Sequence, residues 1–218
     1  MEKLLKVEHL KKYFPTPRGL LHAVDDVSFD INKRETLGVV GESGCGKSTL
    51  GRTVMGLLAP TEGKVFFEGR EISEIKRRHR KKLSSEVQII FQDPFSCLDP
   101  RLNVRDLIAE PLDINSTYHD KRERDKAVTE LMEIVGLAKR FENSYPHELD
   151  GGRRQRIGIA RALALDPKFI VCDEPVSALD VSIQAQILNL LQDLQESNGL
   201  TYMFITHNLS VVKHISDH

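Results

Sequence analysis

The sequence lacks the long apolar runs and paired cysteines that would place it among membrane-spanning, disulfide-rich or zinc-binding proteins. No apolar run approaches the roughly 18 to 20 residues needed to cross a bilayer. The N-terminal segment MEKLLKVEHLKKYF intersperses Lys and Glu where a signal peptide needs an unbroken apolar core. The three cysteines, Cys45, Cys97 and Cys172, form no CxxC pair and indicate neither a disulfide framework nor a zinc site. We therefore expect a cytosolic chain with reduced thiols.

The sequence also lacks an excess of either charge. Its formal net charge is -1, which gives no overall attraction to nucleic acid or to anionic lipid. Internal repeats and low-complexity segments are not evident. The 218 residues, 40% hydrophobic and 29% charged, suffice for one well-cored domain or for one core with an inserted subdomain.

Short apolar segments alternate with helical patterns along most of the chain. Near the N-terminus, VDDVSFDI alternates with period two and predicts antiparallel strands. Further on, the segments KVFFEG, EVQIIFQ, FIVCDEP and LTYMFITH predict strands, whereas residues 104–135, RRQRIGIARALAL and SIQAQILNLLQDLQ predict helices. Apolar strands alternating with helices predict an α/β fold with a mainly parallel sheet covered on both faces.

The segment GESGCGKST, which follows a predicted strand and precedes a predicted helix, fits the phosphate-binding pattern GxxxxGK[ST]. Its glycines allow the backbone N–H groups to point at phosphate oxygens, and the helix N-terminus adds positive potential. Lys47 is expected to supply a charge for the β and γ phosphates, and the Ser48 hydroxyl is expected to ligate Mg²⁺. The residues predicted to bind ATP in this loop are Gly41, Ser43, Gly44, Cys45, Gly46, Lys47, Ser48 and Thr49.

Hydrolysis also needs a carboxylate for Mg²⁺ and a group that handles the attacking water. The segment FIVCDE offers both, because Asp173 ends an apolar strand and Glu174 follows it. Asp173 is predicted to hold Mg²⁺, mostly through water, and Glu174 to orient or deprotonate the water. Because the same sequence carries the phosphate loop, this interpretation is favoured over a solvated acidic turn before Pro175.

With these residues the chain resembles, over nearly all of its length, the nucleotide-binding domain of ABC transporters. Gln92 resembles the glutamine that touches Mg²⁺ and the attacking water, and His207 resembles the switch histidine at the γ phosphate. Tyr13 resembles the aromatic residue that stacks on adenine. LDGGRRQR resembles the signature sequence, with Asp150, Gly151 and Gly152 expected to contact a partner's ATP, and SALD, which ends at Asp180, resembles the D-loop.

The resemblance implies a single ABC ATPase domain over residues 1–218. Residues 1–91 and 160–218 would form the RecA-like and antiparallel β core, and residues from about 92 to 159 would form a helical subdomain. It also implies a head-to-tail dimer that holds two ATP molecules, each between one chain's phosphate loop and the other chain's signature.

The sequence departs from the family in two places. The signature reads Leu149, Asp150, Gly151, Gly152, Arg153 where the family has LSGGQ, and a carboxylate repels a γ phosphate where a serine would donate a hydrogen bond. Because Asp150 also suits a helix N-cap, we expect the local fold to survive. Because of the repulsion, we expect the ATP site completed by this signature to be weak and a different partner subunit to be preferred. After His207 only NLSVVKHISDH remains, which predicts a truncated chain or a sheet completed in another way.

Within the family, two extended segments resemble the ATPase subunits of dipeptide, oligopeptide and nickel importers: FQDPFSCLDPRLNV and YPHELDGGRRQRIGIARALALDPKFIVCDEPVSALDVSIQAQILNLL. The resemblance implies peptide import, with nickel or another small solute as the alternative. It also implies two permease subunits, an extracytoplasmic solute-binding protein and a peripheral position on the cytoplasmic face of the membrane.

Two other functions remain open. An ABC ATPase that acts on DNA could use the basic run IKRRHRKK, although a solvated helix face is favoured because no aromatic residues are interleaved for base stacking. A regulatory nucleotide-binding module without hydrolysis is suggested by Asp150. No nucleic-acid partner is expected.

Overall fold

The computed structural model describes residues 2–73, 77–93 and 95–217, and for residues 77–79 the backbone alone. In chain order, the strands are Lys3–Thr16 (β1), Gly19–Asn32 (β2), Thr36–Val40 (β3), Glu62–Phe67 (β4), Arg70–Glu71 (β5), Val87–Ile90 (β6), Phe169–Asp173 (β7) and Thr201–Thr206 (β8). The helices are Lys47–Val54 (α1), Arg77–Glu86 (α2), Val104–Asn115 (α3), Lys121–Ile134 (α4), Gly151–Leu163 (α5), Val181–Asn198 (α6) and Leu209–Ile215 (α7). Two short 3-10 helices, Lys139–Phe141 and Pro146–Glu148, precede α5.

These strands form two sheets of different kinds. The antiparallel sheet has the order β2-β1-β4-β5, and the parallel sheet has the order β3-β8-β7-β6. Strands β7 and β8 are buried along their whole length, which explains why their sequences are almost continuously apolar rather than alternating. The predicted α/β fold, with its N-terminal antiparallel part and its parallel sheet, is confirmed.

Two apolar clusters hold the sheets and helices together. One fills the space between the antiparallel sheet, α1 and one face of the parallel sheet, and includes Leu10, Val54 and Val171. The other packs the opposite face against α3, α5 and α6, and includes Leu107, Ile159 and Leu191. The parallel sheet is therefore covered on both faces, and the ends of its strands are left to form a site.

The helical segment follows the sequence pattern closely. Helix α3 ends at Asn115 and α4 begins at Lys121, so the interruption NSTYHD is the connection between them. Asn103 and Asp120 cap the two helices, because each side chain accepts a hydrogen bond from a backbone N–H of the first turn. The subdomain boundary predicted near residue 160 falls inside α5, and the division itself remains a prediction.

The C-terminal residues pack against the edge of the parallel sheet. Helix α7 lies on β3, where a side chain at Gly38 would meet Val212 Cγ1 at 2.6 Å. The Asp217 backbone N–H donates to Thr36 O at 3.0 Å, and Thr36 N–H donates to the Asp217 carboxylate at 2.8 Å. The start of β3 is therefore tied to residue 217.

The helices, the basic run and the cysteines bear on the membrane and surface properties expected from the sequence. No helix formed by them has the length and apolar character required for a membrane span. Within the basic run, Arg80, Lys81 and Lys82 are exposed on α2, whereas Lys76 lies outside the described residues. The three cysteines are free, and burial raises the pKa of the Cys172 thiol.

Candidate active site

The candidate site lies where the carboxyl ends of the parallel strands meet. The phosphate loop follows β3 from Gly41, Gln92 lies two residues beyond β6, and His207 follows β8 directly. Asp173 is the last residue of β7, and Glu174 comes next. Because parallel strands place their carboxyl ends at one edge, residues far apart in sequence converge on one place.

The phosphate loop depends on glycine at two positions. Gly44 and Gly46 have φ angles of 80° and 99°, which L side chains rarely adopt. At Gly46 a Cβ atom would also lie 1.9 Å from the carbonyl oxygen of Ala23 in β2. The loop is therefore pressed against the antiparallel sheet, and helix α1 begins directly after it.

Lys47 is the first residue of α1, and its side chain is folded back over the loop. It is only 7% exposed, and its Nζ donates to the carbonyl oxygens of Gly41 at 2.8 Å and Glu42 at 2.7 Å. These two carbonyl groups hold the ammonium group against the backbone of the phosphate loop. A positive charge is thus positioned where the loop's N–H groups could surround an anion.

The Ser48 hydroxyl contacts the acidic residue at the end of β7. Its Oγ donates to Asp173 Oδ1 at 2.7 Å, although the two residues are 125 positions apart. Asp173 is 4% exposed, and its other oxygen lies 3.9 Å from Arg52 Nη2 in α1. Two oxygen ligands of the kind that Mg²⁺ prefers therefore lie side by side at the phosphate loop.

Glu174 is held by its backbone and its side chain. Its φ of 50° lies in the left-handed region, a strain of about 1–3 kcal/mol for a non-glycine residue, and its N–H donates to Ile205 O at 2.9 Å. Its Oε2 accepts from Gln92 Nε2 at 3.2 Å and lies 3.1 Å from His207 Nδ1. The strained turn thus places the carboxylate where the glutamine and the histidine meet it.

These residues surround a cleft of about 980 Å³. The predicted residues among its lining are Gly41, Ser43, Gly44, Cys45, Gly46, Lys47, Ser48, Thr49, Gln92, Glu174 and His207. The sequence interpretation missed Phe14, Leu21, His22, Ala23, Val40 and Leu209, together with Glu42 inside the loop. Tyr13 reaches the cleft indirectly, because its ring stacks on His22 with 3.9 Å between ring centroids. A signal was present, since the turn at Pro17 and Gly19 pairs Tyr13 with His22 across the hairpin.

The signature residues lie elsewhere. Among the residues that the structure describes, the lining of the cleft includes none of the four assigned to the signature and the D-loop, namely Asp150, Gly151, Gly152 and Asp180. Asp150 caps α5 by accepting from Arg153 N–H at 2.8 Å, and it forms an ion pair with the Arg153 guanidinium. That guanidinium lies over the Phe141 ring, 4.6 Å from its centroid. The carboxylate in this signature is therefore capped and paired within its own chain.

Comparison with known proteins agrees with this geometry. The family model described as ABC transporter matches residues 24–177. The chain is 59% identical over 219 residues to the oligopeptide transport ATP-binding protein OppF of Bacillus subtilis, covering 99% of this chain and 71% of the relative. It is 54% identical to the oligopeptide transport ATP-binding protein AppF of the same organism, covering 99% of this chain and 68% of that relative.

Solved structures show the same architecture. A dimeric post-hydrolysis structure of the ATP-binding cassette MJ0796, bound to ADP and Pi, superposes with a TM-score of 0.87 at 30% identity. The similarity covers 97% of this chain and 91% of that one. The cbiO1 subunit from Clostridium perfringens, part of the cbiONQ transporter complex, gives a TM-score of 0.86 at 28% identity over all of this chain and 83% of cbiO1. With its phosphate loop, acidic pair and cleft, the chain therefore belongs to the ABC transporter family, as one of its ATP-binding and ATP-hydrolysing subunits.

Proposed function

We propose that this chain is the ATP-hydrolysing subunit of a peptide importer. The observation that carries the proposal is the contact between Ser48 and Asp173, with Lys47 and Glu174 beside it. It supports one cleft in which the terminal phosphates, the metal ligands and the catalytic carboxylate meet. The relatives named for oligopeptide transport support a peptide as the solute.

In this proposal the phosphate loop binds and orients the triphosphate. The N–H groups from Gly41 to Thr49 and the N-terminus of α1 surround the β and γ phosphates, and Lys47 neutralises their charge. To reach them, the ammonium group exchanges its bonds to two loop carbonyls for bonds to phosphate oxygens. These charge-assisted bonds favour a triphosphate over an uncharged ligand.

Glu174 acts on the attacking water. A carboxylate that accepts only one or two hydrogen bonds keeps lone pairs for a water proton. The backbone hydrogen bond from Glu174 N–H to Ile205 O, in β8, fixes the position of the residue. Gln92 and His207 both contact its Oε2, and His207 is assigned a contact to the γ phosphate once ATP is bound. The three residues would therefore align the water with the terminal phosphoryl group.

Ser48 and Asp173 would hold Mg²⁺, with Gln92 as a further contact. The donor set fits the ion, because a hydroxyl and a buried carboxylate are hard oxygen ligands that lie 2.7 Å apart. Bound there, the ion would neutralise charge on the β and γ oxygens. Arg52 Nη2 lies 3.9 Å from the same carboxylate and partly balances its charge.

The signature residues Asp150, Gly151 and Gly152, together with Asp180, are assigned to the ATP of a partner subunit in a head-to-tail dimer. Their position away from this chain's own cleft is compatible with that role, and dimeric cassettes are among the similar solved structures. Two permease subunits, an extracytoplasmic solute-binding protein and attachment to the cytoplasmic face of the membrane complete the proposed complex.

The unusual signature leads to a prediction on the assembled dimer. Asp150→Ser should raise ATP turnover by about fivefold, because it removes a repulsion of roughly 1 kcal/mol near the partner's γ phosphate. Arg153→Gln is the matched control with the opposite sign, since it leaves the Asp150 carboxylate without its ion pair and should lower turnover. Equal phosphate release by both variants and the parent would contradict this role of the signature.

The peptide assignment is tested by uptake in cells that carry the chain. Deleting its gene should abolish ATP-dependent uptake of a radiolabelled tetrapeptide and leave ⁶³Ni²⁺ uptake unchanged. The parent gene should restore peptide uptake, and the same gene with Glu174→Gln should fail to do so. Unchanged peptide uptake in the deletion strain would refute the assignment, and loss of nickel uptake alone would replace it with nickel import.

A further inference from the structure

Two side chains of α5 hold the loop that follows β6 and carries Gln92. Arg161 Nη1 donates to the carbonyl oxygen of Cys97, further along this loop, at 2.7 Å. Gln155, only 1% exposed, makes a longer bond of 3.5 Å from its Nε2 to the carbonyl oxygen of Phe91, directly before Gln92. Neither side chain is among the described residues that line the nucleotide cleft. Helix α5 therefore holds the backbone on both sides of Gln92 from outside the cleft.

The Arg161 guanidinium is oriented because it also pairs with a carboxylate. Its Nη2 donates to Glu110 Oε2 in α3, so the group joins α3, α5 and the loop after β6. The Arg161 side chain is 24% exposed, and its Nε is buried with no hydrogen-bond partner among the described residues. A planar fork that bonds two different groups is not reproduced by the single ammonium nitrogen of a lysine. The guanidinium therefore fixes the distance between α5 and Cys97.

These hydrogen bonds matter because the loop is not closely packed on α5. A cavity of about 340 Å³ borders both, and its lining includes Phe91, Cys97, Gln155, Gly158 and Arg161. Gly158 has no side chain to fill this space, and a Cβ built there would meet nothing within 4 Å. Close packing normally fixes the position of a segment in a protein interior. Along this cavity the two bonds from α5 take its place.

We propose that Arg161, assisted by Gln155, is a positioning residue that sets where Gln92 stands in the cleft. The inference deepens the proposed hydrolysis and rests on it. Gln92 Nε2 donates to Glu174 Oε2 at 3.2 Å, so a shift of the loop moves the amide relative to the carboxylate assigned to the attacking water. A misplacement of about 1 Å in such a site can lower a rate by about a hundredfold. Arg161 acts only through Gln92 and touches neither the nucleotide nor the water.

The test is a double-mutant cycle between Arg161 and Gln92 in the assembled dimer. Phosphate release at saturating Mg²⁺ and ATP gives kcat, and titration calorimetry gives the ATP affinity. Arg161→Lys should lower kcat by about fivefold and keep the affinity within about twofold of the parent, because the phosphate loop is held by other contacts. Gln92→Ala should lower kcat by about tenfold. Adding Arg161→Lys to Gln92→Ala should lower it no further, since the side chain that Arg161 positions is gone.

Two further variants separate positioning from a general loss of stability. Gln155→Leu removes the bond to the loop carbonyl at similar volume and should lower kcat by about twofold, again only when Gln92 is present. Arg105→Lys is the matched control. Arg105 in α3 pairs with Asp125 and Glu142 at a comparable exposure of 32%, and its replacement should keep parental kcat. Thermal unfolding is recorded for every variant.

A loss of kcat that persists in the Gln92→Ala background would overturn the proposal, because Arg161 would then act independently of Gln92. Parental kcat in Arg161→Lys, or a loss of ATP affinity as large as the loss of kcat, would overturn it as well. If Arg161→Lys does not fold, the cycle between Gln155→Leu and Gln92→Ala decides in the same way. A parent dimer that releases no phosphate would refute the proposed function itself.

Discussion

Glu174→Gln is expected to lower ATP turnover by about 10²- to 10⁴-fold while ATP binding is retained. The amide has the shape of the carboxylate and can still accept from Gln92, so the cleft should keep its geometry. It has no negative charge with which to orient or deprotonate water. The measurement is steady-state phosphate release at saturating Mg²⁺ and ATP, paired with ATP affinity by titration.

The matched control for this variant is Glu196→Gln. Glu196 is exposed on α6 and does not line the cleft, so its amide should leave turnover and affinity at parental values. Turnover by Glu174→Gln at the parental rate would remove Glu174 from its catalytic role. A combined loss of binding and turnover would show instead that the carboxylate holds the cleft together.

Lys47→Ala should weaken ATP binding by roughly two orders of magnitude, since a hydrogen-bonded charge contributes about 3 kcal/mol. Lys47 is the one Lys or Arg side chain among the described residues that line the cleft, so alanine leaves the phosphates' charge uncompensated there. Hydrolysis should fall with binding. The affinity is measured by titration with ATP and Mg²⁺.

Lys213→Ala provides the control for a lost positive charge. Lys213 is exposed on α7, outside the cleft lining, and its removal should leave the affinity unchanged. Because Lys47 also bridges Gly41 and Glu42, thermal unfolding of Lys47→Ala is recorded alongside. A folded Lys47→Ala chain that binds ATP with parental affinity would contradict the phosphate-binding role of the loop.

The sequence sufficed for the parts of the site that follow directly from strand ends. Buried parallel strands are short and apolar, so β7 and β8 could be located, with Asp173 at the end of β7 and with Glu174 and His207 just beyond the two strands. The phosphate loop is readable because its backbone requires glycine, as the φ of 99° at Gly46 illustrates. The order of the strands within the sheet, which brings these ends together, was not predicted, because periodicity does not reveal which strands are neighbours.

Contacts between distant elements could not be read in the same way. The Arg52 side chain meets Asp173 because α1 packs beside β7, and no local pattern in α1 predicts that neighbour. The ion pair between Asp150 and Arg153 forms because residues three apart are neighbours at a helix N-terminus. The sequence suggests that the two residues are neighbours, but it does not give the direction in which their side chains point. The pairing of Tyr13 with His22 is readable from the turn between them, but which face of the hairpin meets the phosphate loop is not, so His22 was missed as a residue of the cleft.

The most direct test of the nucleotide site is a crystal structure of the Glu174→Gln variant grown with ATP and Mg²⁺. We expect a triphosphate wrapped by residues 41–49, with Mg²⁺ on Ser48 and the terminal phosphoryl group between Lys47 and the side chain at position 174. A nucleotide bound outside this cleft, or one whose terminal phosphoryl group points away from position 174, would contradict it.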